Sequence, residues 1–317
     1  MLNIKQTADF LRERDRFLII SHRRPDGDAL CSSSALCLGL RDCGKTAYTL
    51  RNPQTTDKYL PFIEDYHAPE GYTPDVVIST DLADLSIIQN NALHLADRID
   101  LAIDHHRSNT GFCPNRLVLP GFSSCGEVVF LVLKKMGAPM SHETANLLYI
   151  ALTTDTGCFR FKNVNAHSLR AGAELIKAGA DNGAITHMFF MTKRRSRLLL
   201  EGMLINSLEF YKEGELAIAP VTLEMMSKAG VTEEDMEDIA VIAGQIEGTE
   251  ASITIRELEE GGCKVSVRTV NYANADAMCR PLGGGGHNLA AGCTLDCDIA
   301  EAKKLMLEAA EKVWKIE

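Results

Sequence analysis

The sequence predicts an α/β fold, a parallel sheet with helices on both faces, followed by a smaller α+β domain. Short apolar runs that end abruptly at polar residues recur in the first half: FLII at 17–20, VVIST at 76–80 and LAID at 101–104. Strands buried on both faces of a sheet read this way. Helix-like segments alternate with and follow them, over 29–44 and at roughly 126–136, 142–153 and 166–179, as parallel crossover connections require. The strand-like runs ELAIAPV, ASITIREL and CKVSVRTV, set beside helices after residue 205, predict the second domain.

Each element has a local reason. FLII is a short buried strand, and ALCSSSALCLGLRDCG is a helix of small and apolar residues stopped by Gly44. VVIST and LAID repeat the strand pattern. Around MTKRRSRLLLEG (191–202) the texture turns basic and helix-favouring, which suggests a connector. It reads either as a solvated helix face or as the border of an anionic cleft. The expected division is a catalytic domain over 1–190, a helical connector over 191–204 and a second domain over 205–317.

Bulk properties exclude several classes. With 317 residues, 45% of them hydrophobic and 24% charged, the chain can bury two ordinary cores, and whole-chain disorder is excluded. No apolar run reaches the roughly 18–20 residues needed to span a bilayer, and MLNIKQTADFLRERD lacks a signal-peptide core, so a cytoplasmic protein is expected. The ten cysteines include no C-x-x-C pair and read as small buried hydrophobes in a reducing compartment. A net charge of -10 argues against long DNA or RNA as a partner. A short anionic ligand in a locally basic pocket is compatible with it.

The chemistry lies where the strands end. His22, Asp26 and Asp28 follow the first strand, Asp81 follows the second, Asp104, His105 and His106 close the third, and Asp155 follows the helix LLYIALTT. Ligands bind at the carboxyl ends of parallel strands, so these residues should converge. Four aspartates gathered there, Asp26, Asp28, Asp81 and Asp155, would repel one another unless cations neutralise them. Two divalent ions would supply the balance, with the aspartates of PDGD each holding a different ion and Gly27 freeing the loop to aim them apart. An oxygen and imidazole donor set without thiolate favours Mn²⁺ or Mg²⁺ over structural zinc. Two such ions suit phosphoester hydrolysis. Singly, PDGD is a good turn and Asp81 a good helix cap; Asp-His-His straight after a buried strand has no such simple structural reading.

HRRPDGDAL (22–30), TD (80–81), DHH (104–106), TDTG (154–157) and GGGGHNLAAG (283–292) together resemble the ordered motif set of the DHH phosphoesterase superfamily with a DHHA1-type C-terminal domain. Length and the Gly-rich motif are most similar to the bacterial oligoribonucleases that also act on 3'-phosphoadenosine 5'-phosphate. The resemblance implies that His22, Asp26 and Asp81 hold one metal and Asp28, Asp81, His105 and Asp155 the other, with Asp81 bridging. It further implies that His106 faces the substrate phosphate as donor or acid, and that Asp104 orients a histidine. The ions implied are Mn²⁺, with Mg²⁺ or Co²⁺ as alternatives. Cys31 stands where the family usually has glycine, and reads as a variation in packing.

GGGGH lacks the lysine of a nucleotide P-loop. Its amides, at Gly284, Gly285 and Gly286, could curl into an anion-binding nest, with His287 as a further donor. Arg268, on a strand just upstream, can pair with a phosphate or stack on a base. Arg280 and Asn288 are weaker candidates, and Ser124 is a candidate neighbour of the metals. A metal centre in one domain and a substrate reader in the other would form a cleft that limits substrate length.

The expected activity is a metal-dependent phosphoesterase that releases nucleoside monophosphates from very short RNA and removes the 3'-phosphate of 3'-phosphoadenosine 5'-phosphate. Linear or cyclic dinucleotides of the pApA or c-di-AMP type are the alternative substrates. A pyrophosphatase or polyphosphatase, or a nucleotide sensor without turnover, stands further off. The expected partners are short RNA or nucleotides, with neither duplex nor membrane, and a homodimer is left open.

Overall fold

A computed structural model describes residues 1–236 and 239–313, and it divides into two compact units, Met1–Thr192 and Lys193–Glu317. In chain order the first unit contains α1 (Ile4–Arg12), β1 (Phe17–Ile20), α2 (Gly27–Asp42), β2 (Ala47–Thr49), α3 (Leu60–Ile63), β3 (Val76–Thr80), β4 (Ile99–Asp104), β5 (Arg116–Val118), α4 (Cys125–Met136), α5 (His142–Asp155), α6 (Ala166–Lys177) and α7 (Asn182–Thr186). Its five strands are all parallel, in the order β2-β1-β3-β4-β5. The chain therefore turns back between β1 and β3, and the crevice outside their carboxyl ends is where such a sheet binds ligands. One face is covered by α1, α2, α4, α5 and α6 over Phe17, Ile19, Ile78, Leu101 and Ile103. The opposite face is closed by the 3₁₀ turns Leu85–Ile87 and Asn90–Arg98, with Ile20, Val77, Ile88 and Leu95 between.

The helices next to the site pack unusually close, and glycine permits it. A Cβ at Gly27 would stand 2.5 Å from the Thr154 side chain, and one at Gly126 would stand 2.6 Å from the Ala151 Cβ. Gly27 is the first residue of α2, after the Asp26 cap, and its backbone is not left-handed. PDGD thus opens the helix instead of forming a loose turn, and the expected role of Gly27 is corrected: it brings α2 against α5. α2 is buried nearly all round, which explains its Ser, Cys and Ala content. Cys31 is fully buried there.

The second unit contains α8 (Arg195–Asn206), β6 (Glu209–Tyr211), β7 (Leu216–Val221), α9 (Leu223–Ala229), β8 (Ala251–Glu257), β9 (Cys263–Thr269), α10 (Ala275–Cys279), β10 (Gly285–His287), β11 (Ala290–Leu295) and α11 (Ile299–Val313). The sheet order is β10-β11-β9-β8-β7-β6, antiparallel except for β7 against β8. α10 and α11 cover one face through Ala275, Met278, Ala302 and Met306. On the other face Leu200 and Leu204 of α8 pack with Ala217 and Ala219, beside the 3₁₀ segment Ile239–Gln245. Most of the basic segment 191–202 thus lies in α8. Lys193 and Arg197 both bond Glu201, at 2.8 and 2.6 Å, so two of its cations are neutralised locally.

All ten cysteines are free thiols and seven are buried. No helix among the described residues is long and apolar enough to cross a membrane.

Candidate metal centre

β1, β3, β4 and the end of α5 bring the expected residues together. His22 lies just beyond β1, with its Nε2 3.7 Å from an Asp81 oxygen and 3.9 Å from Asp26. Asp26 caps α2 by accepting the Ala29 N–H. Asp28, in the first turn, is 1% exposed and accepts the backbone N–H groups of Cys125 at 2.6 Å and Gly126 at 2.8 Å. Those amides open α4, where Ser124 is the cap. A helix N-terminus is a natural seat for a carboxylate.

Asp81 holds the centre. Its backbone is left-handed (φ 55°), a conformation that costs a non-glycine residue roughly 1 kcal/mol. Its N–H is tied to Ile103 O at 3.0 Å, which fixes the turn between β3 and β4. The turn aims the carboxylate inward, 3.5 Å from His105 Nε2 and 3.4 Å from His106 Nδ1. The expected alternative of a helix cap is thereby excluded: no helix starts at Asp81.

His105 Nε2 also lies 3.8 Å from Asp28 and 3.4 Å from Asp155. Its Nδ1 meets the Phe122 carbonyl at 3.2 Å, which places the proton on Nδ1 and turns the Nε2 lone pair into the cluster. Asp104, fully buried, accepts both the His106 N–H and its ring Nδ1, the latter at 2.8 Å, while Asn109 donates to its second oxygen at 2.7 Å. This fixes the His106 ring through Nδ1. Asp104→Asn is expected to lower kcat/KM about 10- to 100-fold at saturating metal, measured by initial rates, with the fold unchanged by circular dichroism.

Electrostatics show the strain of the assembly. Burial, then the charges of Asp81, Asp155 and Asp26, hold the Asp28 carboxyl well above the usual range. Burial with Asp81 and Asp26 pushes Asp155 up to about 8. Burial opposes a charge on His22, yet Asp81 outweighs it and raises the ring to about 9. The Asp104 hydrogen bond does the same for His106, also to about 9. Carboxylates near one another are held toward their protonated forms and imidazoles are charged to compensate.

The donors fit divalent cations. Three sets, His22–Asp26–Asp81, Asp28–His105–Asp155 and Asp81–His105–His106, each bring their donor atoms within 4.8 Å of one another. Asp81 Oδ1 is buried without any hydrogen-bond partner, an expensive state for a carboxylate oxygen that a cation would relieve. The first set has the residues of one expected ligand group; the second has Asp28, His105 and Asp155 of the other group but not Asp81, which meets His105 only in the third set. The third adds a rival role for His106.

Asn109, the Phe122 carbonyl and the α4 amides were not among the expected site residues. Only the last had a sequence signal: SSCGE carries a Ser followed three residues later by Glu, a helix-start signature, and Ser124 does accept the Glu127 N–H.

In the second unit Arg268, Ala290 and His287 lie opposite one another across β9, β11 and β10, so their side chains share one face. The glycines differ from the expected open nest. Gly283 turns the chain (φ 80°), Gly285–His287 form an edge strand, and the amides of Gly283, Gly284 and Gly286 bond Arg280 O, Cys279 O and Asp276 Oδ1. Side chains are excluded at Gly284 by Gly292 O and at Gly286 by Ala290 O. His287 is exposed, Arg280 is paired with Asp276, and the Asn288 side chain accepts from Asn274.

Residues 16–152 match the family model described as the DHH family, N-terminal domain, and residues 214–315 match that of the DHHA1 domain. The chain is 32% identical, over 93% of its length and 89% of the relative's, to a bifunctional oligoribonuclease and PAP phosphatase NrnA of Thermus thermophilus. It is 24% identical to a cyclic-di-AMP phosphodiesterase PdeA of Listeria monocytogenes, across 97% of this chain and 49% of that one. A solved exopolyphosphatase-related protein from Bacteroides fragilis superposes with a TM-score of 0.88 at 28% identity, covering 98% of this chain and 95% of that one.

Proposed function

The chain belongs to the DHH family, with a DHHA1 domain after it, and we propose that it hydrolyses very short oligoribonucleotides to nucleoside monophosphates and 3'-phosphoadenosine 5'-phosphate to AMP. The observation that carries this reading is the trio of donor sets linked through Asp81, which is in two of them, and His105, which is in two, at the ends of β3 and β4. Enzymes of this family depend on divalent metal ions. His22, Asp26 and Asp81 would hold one ion and Asp28, Asp81, His105 and Asp155 the other, and Mn²⁺ is the ion we favour for this donor set. Bound there, the ions supply Lewis acidity toward the phosphoryl group and toward a water.

The chain's own residues do the rest. Asp104 orients the His106 ring through Nδ1, and Nε2 is the atom that donates a proton to the leaving ribose oxygen as the phosphorus–oxygen bond breaks. Asp28, held by two helix amides, keeps the α2 side of the centre rigid. Arg268 and His287 in the second domain would grip the substrate away from the scissile bond, with Gly284, Gly285 and Gly286 shaping the edge beside His287. Few phosphates need to be met, which fits a net charge of -10.

The full chain supplied with Mn²⁺ is expected to release mononucleotides from RNA dimers to pentamers and to convert the bisphosphate to AMP, followed by chromatography. No turnover of either would end this reading. The similarity to a cyclic-di-AMP phosphodiesterase supports a second reading, pApA or cyclic di-AMP as substrate. Competition between pApA and an RNA dimer in one assay decides between them.

A further inference from the structure

A cavity of about 150 Å³ in the second unit is lined by Val241, Gly244, Thr249, Glu250, Ser252, Arg268, Thr269 and Val270. Most of its polar groups are already engaged. Glu250 accepts the backbone N–H groups of Asn271, Tyr272 and Ala273. The Thr269 hydroxyl donates to Asn288 O and that of Thr249 to Gly214 O.

Two groups are not so engaged. Ser252 is 1% exposed, and its Oγ is buried without a hydrogen-bond partner. Arg268 stands opposite it across β8 and β9 and spends a single guanidinium N–H on its neighbour's carbonyl, Val267 O, at 3.1 Å. The lips are apolar: Val241 and Val270 are 38% and 40% exposed. Gly244 keeps the floor open, since a Cβ there would lie 3.1 Å from Ser252 Oγ.

A planar guanidinium, an unspent hydroxyl and two exposed valines suit a flat heterocycle better than a phosphate, which needs several donors, or trapped water, which needs two to four polar partners. We infer that this cavity seats a nucleobase of the short oligonucleotide, with Arg268 on the ring face and the Ser252 hydroxyl on the ring edge. Ser252, Arg268, Ala290 and His287 form one row across the sheet, and His287 is about 14 Å from Ser252, three strand spacings away. That span lets the base sit at Ser252 while a phosphate farther along the oligonucleotide reaches toward His287. The inference rests on the proposed hydrolysis of short oligoribonucleotides and names how their bases are held.

Two variants test it in the full chain, Gly244→Val to fill the cavity and Ser252→Ala to remove the hydroxyl. With the four homodinucleotides pApA, pCpC, pGpG and pUpU, Gly244→Val is expected to raise KM about tenfold or more and to change kcat less than about twofold. Ser252→Ala is expected to change the ratio of KM values among the four bases about fivefold. Calorimetry with AMP and with ribose 5-phosphate supplies a readout independent of turnover. AMP should bind the wild type at least about tenfold more tightly than ribose 5-phosphate, and Gly244→Val should abolish the difference. Turnover by the wild type with unchanged KM in both variants overturns the base cavity and leaves the proposed function standing. Wild-type protein without turnover, yet with the AMP preference that Gly244→Val removes, would sink the proposed function and support the cavity. Equal binding of AMP and ribose 5-phosphate overturns it.

Discussion

Asp81→Asn is expected to lower turnover of an RNA dimer by about two to three orders of magnitude and to weaken Mn²⁺ binding at least about tenfold. Both effects have one origin. Asp81 contributes to two of the three donor sets and carries the one buried carboxylate oxygen of the cluster without a partner. Neutralising it weakens the hold on the ions that the reaction needs. Asparagine is the right probe because it tolerates the left-handed backbone that Asp81 adopts. A rate loss under about tenfold, or a Mn²⁺ affinity by calorimetry within about threefold of the wild type, contradicts the assignment of this carboxylate to a cation.

His106→Ala should lower kcat by about 10²- to 10⁴-fold while Mn²⁺ affinity, measured by calorimetry, changes less than about threefold. Its Nδ1 is held by Asp104 at 2.8 Å, closer than the 3.4 Å to Asp81, so the ring is oriented as a donor to substrate. The two histidines of the motif should therefore separate experimentally. His105→Ala ought to lose metal, His106→Ala only rate. Loss of metal in the His106 variant would instead assign that ring to the third donor set and remove it from proton transfer.

Much of the first domain was legible because parallel strands announce themselves. FLII, VVIST and LAID are apolar on both faces, and the polar residues at their ends must lie along one sheet edge whatever the loops do. Convergence of His22, Asp81 and His105 follows from that alone. The start of α2 was misread because Asp26 and Gly27 favour turns in isolation; the cap and the contact with Thr154 made them the first turn of a helix. GGGGH was misread for a related reason. Glycine content signals what the backbone is free to do, and here close approach to Gly292 and Ala290 was the need it served.

The residue types, their order and the pattern of buried strands determined by themselves that this chain gathers carboxylates and imidazoles at a sheet edge, where bound cations, or protonated carboxyls beside charged imidazoles, must offset the like charges. Only the tertiary structure decided which way each group faces. The left-handed turn at Asp81, the Phe122 carbonyl on His105, the Asp104 bond to His106 and the unpartnered Ser252 hydroxyl arise from contacts between segments far apart in sequence. Such orientations depend on where neighbouring backbones come to rest, and no local pattern of residues encodes that.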